Sequence, residues 1–121
     1  MSHYRLCLIG FGNVGQAFVR LLMRKQGWLE RECGMTVAVT GIRTGRHGAA
    51  IDPQGLNLEK ALQLMSGGRS LDELSAQPAP TDGLAFIRAC PADVLFENSP
   101  VNHETGQPAI DNLCTALEEG M

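Results

Sequence analysis

The sequence predicts an open α/β fold: a mainly parallel sheet with flanking helices, in one three-layer domain. Three observations carry this expectation. Short apolar runs of strand length alternate with stretches of helical period. A glycine-rich turn joins the first run to the first helical stretch. Two strand-like runs flank that stretch closely, giving a strand–helix–strand unit, and the right-handed crossover of such units builds parallel sheets. At 121 residues the chain has the length for a single domain, residues 1–121, with a real core.

The elements follow in order. Residues 4–9 (YRLCLI) are short, apolar and closed by glycine, as a buried strand should be. The turn Gly10-Phe11-Gly12-Asn13-Val14-Gly15 comes next. Val14, Ala17, Phe18, Leu21 and Leu22 then repeat at i, i+3, i+4, i+7 and i+8, which places them on one helix face. Arg20, Arg24 and Lys25 lie mostly off that face and suit the negative end of the helix dipole; Gly27 is a candidate stop, with Trp28 and Leu29 as the alternative extension of the apolar contact. Residues 35–42 (MTVAVTGI) are rich in β-branched side chains and predict a second strand. Residues 43–55 read as loop.

A short helix is expected at LNLEKALQLM, with Asn57 as its N-cap. Residues 67–83 hold GGRS, a helical turn at LDEL and the punctuated stretch QPAPTDG, and residues 84–90 (LAFIRAC) predict a small amphipathic helix. Residues 93–97 (DVLFE) form the next strand, ending in Asn98-Ser99-Pro100. After the loop VNHETGQ, Pro108 opens a last helix with an apolar stripe of Ala109, Leu113, Ala116 and Leu117, and Gly120 stops it. The pattern is that of an open sheet, truncated where another strand is due.

Composition narrows the partners. The chain is 44% hydrophobic and 19% charged, with a formal net charge of −3, which suggests neither a nucleic-acid footprint nor attraction to an anionic membrane. No apolar stretch approaches the length of a spanning helix, and residues 1–9 lack the features of a signal peptide. A cytoplasmic location is expected. Cys7, Cys33, Cys90 and Cys114 are too far apart for a metal knuckle and read as reduced structural thiols. His3 reads as solvated; His47 and His103 lie in predicted loops, where they could face a ligand, but the three histidines form no ligand spacing.

The glycine turn carries the chemistry. GxGxxG alone is a weak signal, but here a strand ends at Ile9 and a helix starts within the motif, the context of a Rossmann-type dinucleotide site. Gly10 permits the tight turn, Gly12 lets a pyrophosphate approach the backbone, and Gly15 lets the helix pack against the strand. Backbone N–H groups from about Phe11 to Val14 face the phosphates. At the end of the second strand, where NAD sites carry an acid for the ribose hydroxyls, stand Arg43 and, three residues on, Arg46. Arginine neutralises a 2′-phosphate and stacks on adenine, so NADP is the expected cofactor, with NAD as the alternative. Glu30 and Glu32 precede the strand and are poorly placed to substitute.

Three segments together resemble the homoserine dehydrogenases: GFGNVG followed by QAFVRLL; Asp52-Pro53-Gln54-Gly55-Leu56-Asn57-Leu58; and DVLFENSPVNHETGQPAIDNLCTALEEG at residues 93–120. The last is the most specific, and the likeness is weakest over 59–90. The resemblance implies interconversion of L-homoserine and L-aspartate 4-semialdehyde with NAD(P)(H), on the route to threonine and methionine. It implies a homo-oligomer for the complete enzyme, and it places Asn98, Ser99 and Pro100 near the nicotinamide end of the cofactor. Ser99 keeps the hydroxyl of the family's usual threonine. Glu97 could touch the cofactor or cap the adjacent loop. The family's catalytic lysines and substrate carboxylates lie beyond this pattern; Lys25 and Lys60 match no catalytic position, so no catalytic residue is assigned and the chain alone is expected to be inactive. Two other readings remain: a non-enzymatic nucleotide sensor, and a dehydrogenase of another amino-acid derivative sharing this first half.

Overall fold

A computed structural model describes residues 1–121. Four strands form one sheet: β1 (Ser2–Ile9), β2 (Met35–Arg43), β3 (Ala49–Ile51) and β4 (Val94–Glu97), in the order β3-β2-β1-β4. β1 pairs in parallel with both β2 and β4, while β3 runs antiparallel to β2 at one edge. The sheet is therefore mainly parallel, as the sequence predicts. The β3 edge is new: residues 49–51 fall in the stretch read as loop. Three residues are too few for a periodic signal, and pairing with β2 is what makes them a strand.

Helices cover both faces. α1 (Asn13–Cys33) and α2 (Leu58–Ser66) pack on one, where Leu6, Leu8, Val19, Val39, Ile42 and Leu64 share a core. α3 (Gly83–Ala89) and α4 (Ala109–Glu118) close the other over Cys7, Ile9, Phe86, Ile87, Cys90 and Ala116. Alternate residues of β1 thus enter opposite cores, which is why its run is apolar throughout. Phe18 of α1 stacks on Phe96 of β4, ring centroids 4.6 Å apart, and ties that helix to the sheet.

α1 departs from the sequence reading in two ways. It runs through Gly27 to Cys33 and stops at Gly34, whose left-handed φ of 62° suits glycine. Gly27 lies on the solvent side, where a helical glycine costs only about 1 kcal/mol and Leu29 beyond it still packs on the core. The buried face is also rotated: Gly15, Val19 and Leu22 point inward, while Val14 and Leu21 are exposed. Close packing at Gly15 sets the direction, and an apolar stripe one residue out of phase cannot reveal it. In α4, likewise, Asn112, Thr115 and Ala116 are buried, whereas Leu113 and Leu117 of the expected stripe face outward beside the free edge of β4.

Other elements follow the sequence closely. Asn57 caps α2 by accepting from Lys60 N at 3.0 Å, and LDEL forms a 3-10 turn, Leu71–Leu74. The strap after that turn clamps β3: Ser75 Oγ accepts from Ile51 N at 3.0 Å and Ala76 N donates to Ile51 O at 2.9 Å.

β2 carries a bulge. Leu6 pairs with Val39 but Cys7 with Gly41, leaving Thr40 out of register. The Thr40 hydroxyl, buried, donates to Pro91 O at 2.9 Å. Gly41 faces Cys90 so closely that a Cβ would collide with its sulfur. All four cysteines are free, with Cys7 and Cys90 buried. Its contact with Cys90, and then burial, push the Cys7 thiol well above the usual range, so it packs as a small apolar group.

At the start of β4 the Asp93 carboxylate accepts from Arg5 N at 2.9 Å and from the Arg5 guanidinium at 3.1 and 3.3 Å. Those side-chain and backbone hydrogen bonds hold the Asp93 carboxyl below the ordinary range. A depressed folded-state value gives stability that is complete above the unfolded value, about 4, and is lost as pH falls through the folded one. Asp93→Asn is therefore expected to lower stability at neutral and alkaline pH and to converge with the parent chain as pH falls below about 4, which flattens the acid limb of the stability curve. Parallel pH titrations of thermal midpoint for the two proteins check this; a gap between the curves that stays the same from neutral to acid pH would refute it.

Candidate functional site

The parallel strands β1, β2 and β4 all end on the same side, and their following loops meet there. Gly10 N donates to Arg43 O at 2.8 Å, and Asn98 N donates to Ile9 O at 2.8 Å, so the three loops are pinned to one another. The cleft between them has a volume of about 560 Å³. It sits at the carboxyl edge of an open parallel sheet, where the order of connections reverses and such folds bind ligands.

The glycine turn forms its floor. Gly10, at φ +93°, takes a conformation that side chains rarely adopt, and a Cβ there would lie 2.8 Å from the Asn98 carbonyl carbon and the Ser99 nitrogen. Gly12 is different: a Cβ would meet nothing within 4 Å, and the open space belongs to the cleft. Gly15 lies behind the floor, where a Cβ would press on Asn98 Oδ1 and Gly10 O at 3.0 Å. Phe11, Asn13 and Val14 complete the lining from this turn. Gln16 Nε2 donates to Phe11 O at 2.9 Å and holds the turn in shape.

α1 begins here without a side-chain cap and without an acid in its first turn. Its first N–H groups therefore have no carboxylate or hydroxyl to satisfy them, and with the positive end of the helix dipole they make a place for an anion. The side-chain oxygen Oδ1 of Asn98 is buried just beneath and lacks a hydrogen-bond partner.

Arg43, Arg46, Asn98, Ser99 and Pro100 all line the same cleft, so the residues that sequence reasoning chose are brought together, Gly15 acting from behind. Glu97 is a cap, not a wall. One carboxylate oxygen accepts from Ser99 N at 2.8 Å and from the Ser99 hydroxyl, and the other accepts from Asn112 Nδ2 at 2.7 Å. That demand also explains why Asn112 is buried. Lys25 stands over the Trp28 ring, 5.8 Å from its centroid, and Lys60 is exposed on α2; neither reaches the cleft.

Arg43 and Arg46 stand at the border of a second, polar cleft of about 660 Å³, which also contains Thr44 and Gly45 and runs out to the strap 75–81. Arg43 Nη2 donates to Thr81 O at 3.1 Å, and its guanidinium lies 3.5–3.7 Å from the Cβ position of Gly83. Arg46 is exposed and makes no ion pair. The loop that carries Arg46 is braced from within: the Thr44 hydroxyl donates to Gly48 O at 2.7 Å and accepts from His47 N at 2.7 Å.

Sequence reasoning missed Thr44, Gly45 and Met65 in the first cleft and gave His47 little weight. The Thr44–His47 spacing of a side-chain-to-backbone turn was a readable signal. The contribution of 72–81 to the second cleft had none, because it depends on where the strap is clamped.

No protein-family model matches the chain. An NAD(+)-dependent homoserine dehydrogenase of Pseudomonas canavaninivorans is 28% identical over 120 residues, 99% of this chain and 34% of that protein. A homoserine dehydrogenase of Methanocaldococcus jannaschii is 31% identical over 115 residues, 93% of this chain and 33% of that protein. Among solved structures, a hyperthermophilic archaeal homoserine dehydrogenase in complex with NADPH superposes with a TM-score of 0.75 at 20% identity, covering 98% of this chain and 34% of that one. At that identity the likeness is one of fold, the Rossmann-type open sheet. The chain spans about a third of the length of the curated relatives it matches.

Proposed function

We propose that residues 1–121 are the nucleotide-binding portion of a homoserine dehydrogenase, the enzyme that interconverts L-homoserine and L-aspartate 4-semialdehyde. The observation that carries this reading is the cleft over Gly12: an uncapped helix start, a glycine whose side-chain space is open, and an orphaned polar atom on Asn98, all at one sheet edge. Sequence likeness to two homoserine dehydrogenases, spread over almost the whole chain, supports the choice of enzyme.

The residues present fit a nicotinamide dinucleotide. When bound, it supplies the hydride that the reaction exchanges. Backbone N–H groups of Phe11–Val14 and the start of α1 would hold its pyrophosphate, and Gly12 admits it. Arg43 and Arg46 would take the adenosine end, where a 2′-phosphate meets two guanidinium groups. Asn98, Ser99 and Pro100 would face the nicotinamide end, with Glu97 fixing their loop. No lysine or free carboxylate stands at that end, so handling of the alcohol proton belongs to other parts of the enzyme. The homo-oligomer, the threonine and methionine route and the cytoplasmic location belong to the same proposal for the complete enzyme; for this chain, no helix is long and apolar enough to cross a membrane.

Two measurements on the chain test the reading. Titration with NADPH and NADH at fixed ionic strength is expected to give tighter binding of NADPH; a clear preference for NADH would refute the arginine assignment. Homoserine oxidation by residues 1–121 with either oxidised cofactor is expected to be absent, and measurable turnover would show that the proton-handling groups are here after all.

A further inference from the structure

The second cleft holds a carboxylate as well as two arginines. Asp72, in the first turn of the 3-10 segment, lines it together with Arg43 and Arg46. One of its oxygens, Oδ1, accepts from Ala49 N at 2.9 Å, which fixes the side chain against the Gly48–Ala49 end of the loop. Its backbone is held too, Asp72 N donating to Ser70 Oγ at 3.1 Å and Leu71 N to His47 O at 2.7 Å. The other oxygen makes no hydrogen bond within the chain, and neither arginine forms an ion pair with the group. A rigidly placed, half-used carboxylate therefore shares one cleft with two cations that it does not neutralise.

A carboxylate and a guanidinium recognise opposite states of one position on a nucleotide. The first accepts hydrogen bonds from free ribose hydroxyls; the second binds a phosphate in place of one of them. NAD sites usually draw the carboxylate from the end of the second strand, and here that place is taken by Arg43. Asp72 comes to the cleft from 29 residues further along the chain, carried by the strap that clamps β3.

We infer that Asp72 is a specificity-determining residue of the nucleotide site: it reads the ribose 2′ position against Arg43 and Arg46, favouring the free hydroxyl and opposing a 2′-phosphate. This rests on the dinucleotide reading above. The balance of the two signs makes the site accept both cofactors, with a preference narrower than two arginines alone would give. Asp72 is a binding group in this role, with no part in hydride transfer.

Asp72→Asn tests the inference cleanly. The amide oxygen can still accept from Ala49 N, so the loop anchor remains and only the charge is lost. NADPH and NADH are titrated, by their own fluorescence, into the intact chain and the variant at low and high ionic strength. NADPH affinity should rise and NADH affinity fall, widening the ratio by roughly three- to tenfold at low salt, with the gap shrinking as salt screens the charge. A structural role would weaken both ligands together, so movement in opposite directions is the supporting result. An unchanged ratio, or parallel losses, with both ligands still bound by the wild type, would overturn the inference and leave the dinucleotide reading standing. Failure of the wild type to bind either ligand would overturn both.

Discussion

Gly12→Val is expected to abolish dinucleotide binding while leaving the fold in place. Gly12 has φ −85°, which any residue adopts, and a Cβ meets nothing of the protein. The added isopropyl group therefore costs the folded state little, as at other surface positions. It does occupy the space through which a pyrophosphate reaches the backbone N–H groups. Hydrogen bonds to a charged group contribute about 1.5–3 kcal/mol each, so losing two weakens binding by roughly 100-fold or more. The expected result is an unchanged thermal midpoint with no detectable NADPH or NADH titration. A variant that binds with native affinity would sink the phosphate-loop assignment.

Gly10→Ala is expected to do the reverse, damaging the fold itself. Its φ of +93° is unfavourable for an L residue, at a cost of about 1–2 kcal/mol. The methyl group would also lie 2.8 Å from backbone atoms of Asn98 and Ser99, and backbone cannot swing aside as a flexible side chain can. Overpacking adds about 1–3 kcal/mol. A total near 3 kcal/mol lowers the melting temperature of a domain this size by roughly 10 °C. Thermal unfolding followed by circular dichroism measures this; a midpoint within a degree or two of wild type would show that the β1 and β4 loops do not meet as described. The two glycines lie two residues apart, yet one variant should lose its ligand and the other its stability.

Much of the fold was legible because local and global signals agree. The β1 run, the glycine turn and the β-branched β2 run announced a strand–helix–strand unit, and the structure has it. The failures have a common cause. Val14 and Leu21 fit the helical period of α1 as well as Val19 does, so periodicity found the helix but not its inward side. Leu113 and Leu117 were assigned to the core because they are apolar, whereas Asn112 went inside because Glu97 needed a donor. β3 and the second cleft depend on long-range clamping by Ser75 and Ala76, which no local pattern encodes.

The site was more legible than its surroundings. Residues 10–14, Arg43, Arg46 and 98–100 line one cleft because all follow the carboxyl ends of parallel strands, and topology alone brings those ends together. Asp72 was invisible for the opposite reason. It belongs to no strand end and reaches the arginines only through the strap.

The bulge at Thr40 bears on where Arg43 emerges. In a regular strand, Val39, Gly41 and Arg43 would share a side. Instead Val39 and Ile42, an odd distance apart, lie in the same core, while Gly41 faces Cys90 and Arg43 reaches toward Thr81 on the opposite side. One extra residue has thus inverted the parity of the strand's last turn of alternation. The arginine's address is written as an odd or even count, upstream of the arginine itself. Comparing arginines at this position among related chains therefore means little until the phase of the strand leading to each has been counted.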